Sequence, residues 1–400
     1  MKVHLISTTA FPHGGATATR TLSYAKGFIE NGIDCEIIIP IPTCAINDKL
    51  NTTHKGVHKG VPFHYSNSVS HRSNSFIMRR VNDIFAYMKT LYYISRIPKG
   101  DIVLFYNNEN VLYKLALLVC RLKSLKTALE LNELPFIAGE QTAKRVKKRN
   151  MMLKNILPKF DGVIVISDTL SELVRGYSKA EIIKVPIITP PDIEQHSNND
   201  KDAGRYIFHS GSLTEVKDGV CGMIEAFGMA LPHIGNDVKY ILTGNLDKSP
   251  DKENLKAIIY KYSLENNIVF TGYLAEDELR HYQANCTMVI INKYDSLQNK
   301  YCFATKLSEY LVMKRPVVTT NIGEAMNFLK NGVNAYIVEP GNPQLIAEKI
   351  IEIFNNPIDA KKIGESGYEL TKKEFNYLYQ GKRIIDFFNK LTNSRNYENR

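Results

Sequence analysis

The chain has 400 residues, 44% hydrophobic and 23% charged, with 51 basic against 41 acidic side chains and a net charge of +10. That length suggests two domains, each able to bury its own core, and the composition is that of a soluble globular protein, which excludes a disordered or fibrous chain. The charge favours anionic partners; tryptophan is absent and no nucleic-acid motif is present, so phosphorylated ligands and an anionic membrane surface are expected and nucleic acid is not.

Six cysteines have no C-x-x-C spacing, which predicts reduced thiols in a cytoplasmic protein and no zinc site. MKVHLIS enters a strand without the apolar core of a signal peptide. No apolar run approaches the ~20 residues of a membrane span.

Lys2 to Ser7 reads as a strand, Thr8 to Thr19 as a loop holding Gly14-Gly15, Arg20 to Glu30 as a helix and Cys35 to Pro40 as a second strand. This βαβ order is Rossmann-like, but the spacing is not G-x-G-x-x-G. Thr43 to Arg72 is polar, and its His54 and His58 lack a carboxylate neighbour, so a solvated loop or edge strand is expected in place of a metal site. Phe76 to Ile97 carries apolar residues at helical spacing with Arg79, Arg80, Lys89 and Arg96 among them. Lys144 to Lys159 carries seven basic residues and no acidic one. Both stretches fit either a helix packed on a sheet or a basic, apolar face against anionic lipid. Strands follow at Asp101 to Tyr106, Lys126 to Leu131, Asp161 to Ser167 and Glu181 to Pro186, with helices at Leu112 to Leu122 and Asp168 to Arg175. Glu133, just past the Lys126 to Leu131 strand, is the titratable group there. It reads either as facing a substrate or as capping a turn.

The polar run from Pro190 to Gly204 is a linker; its Asp200-Lys201-Asp202 reads as a solvated charge run. A second β/α series opens with a strand at Tyr206 to His209. Gly211-Ser212-Leu213 leaves that strand, and Lys217-Asp218-Gly219 precedes a helix at Val220 to Ala230. Strands at Tyr240 to Thr243 (ending in Gly244), Ile268 to Thr271 (followed by Gly272-Tyr273) and Met288 to Ile291 come next, with a helix at Glu276 to Ala284. A polar loop with Asn299, Lys300 and Tyr301 then runs into Thr305, an N-cap by residue type, and a short helix with Leu307, Tyr310 and Leu311 on one face. The first amides of a helix favour an anion, and Lys306 in that turn requires something negative nearby. Val317 to Thr320 and Asn334 to Val338 are strands; Gln344 to Phe354 and Tyr377 to Leu391 are helices.

The stretch from Asp295 to Glu324 resembles the donor-binding segment of the retaining glycosyltransferases of family 4. Its matching residues are Asp295 to Gln298, Lys300, Phe303, Thr305 to Leu307, Glu309 to Leu311, Pro316 to Val318, Thr320 and Gly323-Glu324. The family's first glutamate falls at Tyr301, its proline at Ala304, a phosphate arginine at Ser212 and a histidine at Asn132. The resemblance implies an α/β fold of two facing Rossmann-like domains, the GT-B architecture, with an interdomain cleft. It assigns residues 1–190 to an acceptor-side domain, 191–204 to a linker, 205–376 to a nucleotide-sugar domain, and 377–400 to a helix returning to the first domain.

By the same resemblance Lys217 and Lys306 hold the donor diphosphate as it departs, and Glu309 contacts the ribose. Gly14 and Gly15 approach the phosphates. Ser212, Gly244, Tyr273, Thr305 and Leu307 line the donor, and Glu133 faces the acceptor. The implied reaction moves a sugar from a nucleotide diphosphate to a glycan or lipid-linked acceptor with retention. It needs no metal and no cofactor, and takes place in the cytoplasm or at the inner face of a membrane during surface polysaccharide assembly. A non-catalytic nucleotide-sugar binder and a nicotinamide-dependent Rossmann enzyme stay open beside it.

Overall fold

A computed structural model of the chain describes residues 1–45, 50–106, 110–137, 139–190 and 205–393. The linker and its Asp200-Lys201-Asp202 lie outside the described residues. The chain forms two compact units. The first comprises Met1–Pro191, Tyr301–Phe303 and Phe375–Arg400; the second comprises Asp192–Lys300 and Ala304–Glu374.

The first unit runs β1 (Val3–Ser7), α1 (Gly15–Glu30), β2 (Cys35–Ile39), β3 (Lys55–His58), β4 (Val61–Tyr65), α2 (Phe76–Arg96), β5 (Ile102–Tyr106), α3 (Asn110–Leu122), β6 (Lys126–Leu131), α4 (Ala143–Met151), β7 (Gly162–Val165), α5 (Asp168–Tyr177) and β8 (Glu181–Lys184). The strand order is β3-β4-β2-β1-β5-β6-β7-β8. All neighbours are parallel except the β3–β4 pair. Runs such as Ile102–Tyr106 and Gly162–Val165 are buried throughout, as expected of parallel strands covered on both faces.

The second unit runs β9 (Tyr206–His209), α6 (Glu215–Asp218), α7 (Val220–Ile234), β10 (Lys239–Leu242), α8 (Lys252–Lys261), β11 (Ile268–Phe270), α9 (Glu276–Asn285), β12 (Met288–Ile291), α10 (Leu297–Tyr301), α11 (Lys306–Leu311), β13 (Val317–Thr320), β14 (Tyr336–Val338), α12 (Pro343–Asn355) and α13 (Pro357–Lys372). Its sheet is parallel, in the order β11-β10-β9-β12-β13-β14. The last helix, α14 (Tyr377–Asn393), packs in the first unit against α1. A Cβ on Gly381 would come within 2.7 Å of the Gly27 carbonyl carbon, so the two helices cross where neither has a side chain. Phe387 and Leu391 lie equally close over Gly162 of β7.

Three local expectations need correction. The first helix starts at Gly15, five residues before Arg20. Its Thr and Ser residues suggested a loop, yet Thr19, Thr21 and Ser23 donate to the carbonyls four residues back (3.3, 2.7 and 2.9 Å) and so satisfy their hydroxyls inside the helix. The polar loop around Asn299 is helix α10, because Ser296 Oγ accepts from the Asn299 amide (3.2 Å) and Asn299 Nδ2 donates to the Tyr294 carbonyl (2.8 Å). Thr305 is not an N-cap by geometry: its φ and ψ (−58°, −31°) are already helical and its hydroxyl makes no capping bond.

Candidate active site

In an open parallel sheet, ligands sit outside the C-terminal strand ends where the strand order reverses. In the second unit that point lies between β9 and β12, since β10 flanks β9 on one side and β13 flanks β12 on the other. The chain leaves β9 through His209-Ser210-Gly211-Ser212, and leaves β12 through Asn292-Lys293.

These two strand ends assemble a charged cluster. Asp218, the last residue of α6, is buried, and its Oδ2 lies 3.1 Å from Lys306 Nζ while its Oδ1 lies 3.1 Å from Lys293 Nζ. Ser212 adds its main-chain N–H (3.0 Å) and its hydroxyl (2.7 Å) to Oδ2. Burial alone would raise the Asp218 pKa, but Lys306 and Lys293 overcome it and hold the carboxyl well below the usual carboxylate range. Burial draws the Lys306 ammonium below its ordinary range, partly offset by Asp218. The partner that the sequence required for Lys306 is therefore Asp218. Two ammonium groups face one carboxylate, which leaves positive charge over for an anion.

His209 is buried beneath the cluster, and among the described residues no side chain is hydrogen-bonded to its ring. Burial, reinforced by Lys306, pulls its pKa down to about 3, so the ring is neutral. Gly211 passes so close that a Cβ there would overlap the Lys306 ammonium and lie 2.8 Å from Asp218 Oδ2. A larger residue there would push the Lys306 ammonium aside. Gly219 ends α6 at φ +64°, in the left-handed region that favours glycine. Its carbonyl accepts from Asn292 Nδ2 at 2.9 Å.

Packing fixes the supports. Tyr310 is buried on α11, and its hydroxyl accepts from the Ser210 amide (2.9 Å) and meets Ser210 Oγ (3.1 Å), which ties the helix carrying Lys306 to the β9 exit. Thr320 Oγ1 accepts from the Lys293 N–H and donates to the Lys293 carbonyl, both at 2.8 Å, which fixes the β12 exit against β13. Lys293 Nζ also donates to the Lys217 carbonyl. At the start of α7, Glu215 Oε2 accepts from the Cys221 N–H at 2.6 Å and Glu215 Oε1 accepts from the Tyr294 hydroxyl.

The expected residues distribute as follows. Lys306 and Ser212 belong to the cluster. Lys217 shares its strand exit but projects as an exposed side chain. Glu309 Oε2 is held 3.1 Å from Arg280 of α9, which also donates to Gln283 (2.8 Å). Gly244 (φ +107°) donates its N–H to the Gly272 carbonyl at 2.8 Å, and Tyr273 beside it is 89% exposed at the end of β11. Leu307 is buried and its N–H donates to the Ala304 carbonyl, so its side chain serves the core. Gly14 and Gly15 (φ +65°) open α1 in the first unit. Half-buried Glu133 also lies in the first unit, next to Asn132, whose Nδ2 donates to Tyr106 Oη at 3.0 Å. Asp218, Lys293 and His209 were not singled out from the sequence. The Lys-Asp-Gly run and the need of Lys306 for a negative neighbour pointed at Asp218; nothing in sequence pattern marked Lys293. Among the described residues no group of three or more His, Cys, Asp or Glu is placed to hold a metal.

The two-unit α/β architecture is GT-B. HepE of Anabaena, in a structure with UDP, superposes with a TM-score of 0.67 over 98% of this chain and 100% of its own, at 16% identity. Residues 192–370 match the family described as glycosyl transferases group 1. An uncharacterized glycosyltransferase of Methanocaldococcus jannaschii is 26% identical over 144 residues, 36% of this chain and 38% of its own. The capsular polysaccharide biosynthesis glycosyltransferase CapM of Staphylococcus aureus is 26% identical over 162 residues, 40% of each chain. The chain thus spans about two fifths of the length of these relatives.

Proposed function

We propose that the protein is a glycosyltransferase that moves a sugar from a nucleotide diphosphate donor, with retention, to a glycan or lipid-linked acceptor in surface polysaccharide assembly. The observation that carries this reading is the Lys293–Asp218–Lys306 cluster at the β9/β12 switch point. Its surplus positive charge suits a diphosphate. As the glycosidic bond breaks, charge grows on the departing diphosphate, and ammonium groups already fixed by Asp218 stabilise it without reorganising. Lysines provide this stabilisation without a metal ion. Gly244 after β10, Tyr273 after β11 and Glu309 on α11 are assigned to the base and ribose. HepE, solved with UDP, and CapM, named for capsular polysaccharide, support a UDP-sugar donor and a polysaccharide product. Glu133 is assigned to the acceptor. The protein acts in the cytoplasm or at the inner face of a membrane.

The test is a panel of nucleotide sugars, read by release of the nucleoside diphosphate. Turnover with one or more UDP-sugars is expected, increased by a glycan or lipid-linked acceptor. Binding without release would identify a sensor instead, and absence of binding would overturn the reading.

A further inference from the structure

The helix α2 has 21 residues, yet only Ala86, Thr90 and Ile94 are buried. Ile77, Val81, Ile84, Phe85, Met88 and Tyr92 are between 40% and 74% exposed. They recur at the spacing of one helical stripe, on the side opposite the buried residues. Its neighbour α3 buries one face and exposes a second apolar one, with Leu115, Leu118 and Leu122 at 43%, 56% and 78%. Arg80, Lys89 and Arg96 flank the α2 stripe, and Lys114 and Arg121 flank that of α3. The one acidic residue of the two helices, Asp83, lies off the stripe and is engaged by Arg80 (3.7 Å) and Arg72 (4.0 Å). Beside α3 a cavity of about 460 Å³ is lined by Lys114, Lys154 and Lys159 with Met151 and Ile156.

We infer that the α2–α3 face of the first unit is a bilayer-docking surface, with the apolar stripes entering the headgroup–acyl boundary and the flanking basic groups on anionic lipid phosphates. The inference rests on the membrane reading above and gives it a location and a mode. Exposed apolar stripes of this size on a water-soluble surface mark an interaction site, and a helix with basic flanks around an apolar stripe is the chemistry of an interfacial helix. A second copy of the chain is disfavoured, because a two-fold contact through this face would bring its own arginines and lysines together, and the one acid of the two helices, Asp83, is already engaged by Arg80 and Arg72. Three of the residues that line the cavity are lysines, which suits an anionic headgroup. Helix α4 is basic but has no buried residue and little apolar surface, so it contributes attraction and not insertion.

The test is flotation of the full-length protein with vesicles of phosphatidylcholine alone and of phosphatidylcholine with phosphatidylglycerol. UDP affinity and thermal melting are measured in parallel. Wild type should float with the anionic vesicles and be only partly released by high salt. Ile84→Glu with Met88→Glu, and separately Leu118→Glu, should each lower partition at least about tenfold, since charge on an inserted stripe opposes burial, while UDP affinity and melting stay unchanged. Lys114→Gln with Lys154→Gln should remove several-fold of the preference for anionic vesicles. A wild type that does not float overturns both the membrane reading and this one. Flotation that survives the stripe variants overturns only the assignment of the face. A wild-type dimer without vesicles that Leu118→Glu converts to monomer also overturns it, in favour of self-association.

Discussion

Each unit buries a carboxylate beside cations, and the two arrangements differ in what is left over. In the first unit Glu130 on β6 meets Arg20 of α1 at 2.8 Å and accepts from the Tyr24 hydroxyl at 2.9 Å. The same guanidinium donates to the Val185 and Pro186 carbonyls and to Tyr24 Oη. Burial opposes the charge on both partners. Glu130 is nevertheless matched one to one, and the guanidinium spends its donors on main-chain and hydroxyl oxygens. In the second unit Asp218 is matched two to one, its lysines are partly exposed, and the buried His209 beside it is neutral. A closed ion pair holds a helix on a sheet. A cluster with surplus charge, partly open to solvent and resting on a neutral imidazole, suits the anion site we propose.

Breaking the closed pair should have the largest effect on stability. Arg20→Ala leaves Glu130 buried with only Tyr24, and removing one partner of such a pair costs about 3–5 kcal/mol. Urea or thermal unfolding should show this as a much lower midpoint, and a loss below about 1 kcal/mol would mean water reaches Glu130. Next comes the pH dependence of His209. Its folded pKa of about 3 lies below its unfolded value, so the unfolded chain takes up a proton first, and its contribution is lost as pH falls from about 6.5 toward 3. Between pH 7.5 and 5 this should remove on the order of 1–2 kcal/mol, and His209→Asn should show a correspondingly flatter profile. Equal profiles would place the titration elsewhere.

Lys217 sharpens the comparison from the other side. The sequence ranks it beside Lys306, but its side chain is exposed, where a charge interacts through high dielectric. Lys217→Ala should therefore cost about 1 kcal/mol or less in transition-state stabilisation, read from kcat/KM. An equal loss in Lys217→Ala and Lys306→Ala would mean that the loop closes over the donor. The smallest effect is expected from excess chelator, which should leave turnover nearly unchanged; loss restored by Mg²⁺ or Mn²⁺ would contradict a site run by lysines.

The fold was legible because parallel strands buried on both faces read as apolar runs such as DIVLFY and DGVIVIS, separated by helical stripes. Boundaries slipped where hydroxyls are satisfied inside a helix, as at Thr19 and Thr21, or where one serine side chain turns a polar stretch into a helix, as at Ser296. The polar stretch Thr43 to Arg72, read as a solvated loop or edge strand, holds the largely exposed edge strand β3, while its partner β4 was not read from the sequence. In the charged cluster, the pairing of Lys306 was legible from its need for a negative neighbour. Lys293 and His209 were not, because their importance lies in which strand ends the sheet order makes adjacent, and β9 pairs with β12 across about 80 intervening residues.

The most direct measurement is calorimetric titration of UDP into wild type and Lys306→Ala. A charge-assisted contact to phosphate contributes roughly 1.5–3 kcal/mol. The variant should therefore bind UDP about ten- to a hundredfold more weakly, while melting near wild type because Lys293 still covers Asp218. A folded Lys306→Ala protein that binds UDP as tightly as wild type would contradict the assignment of this cluster to the donor diphosphate.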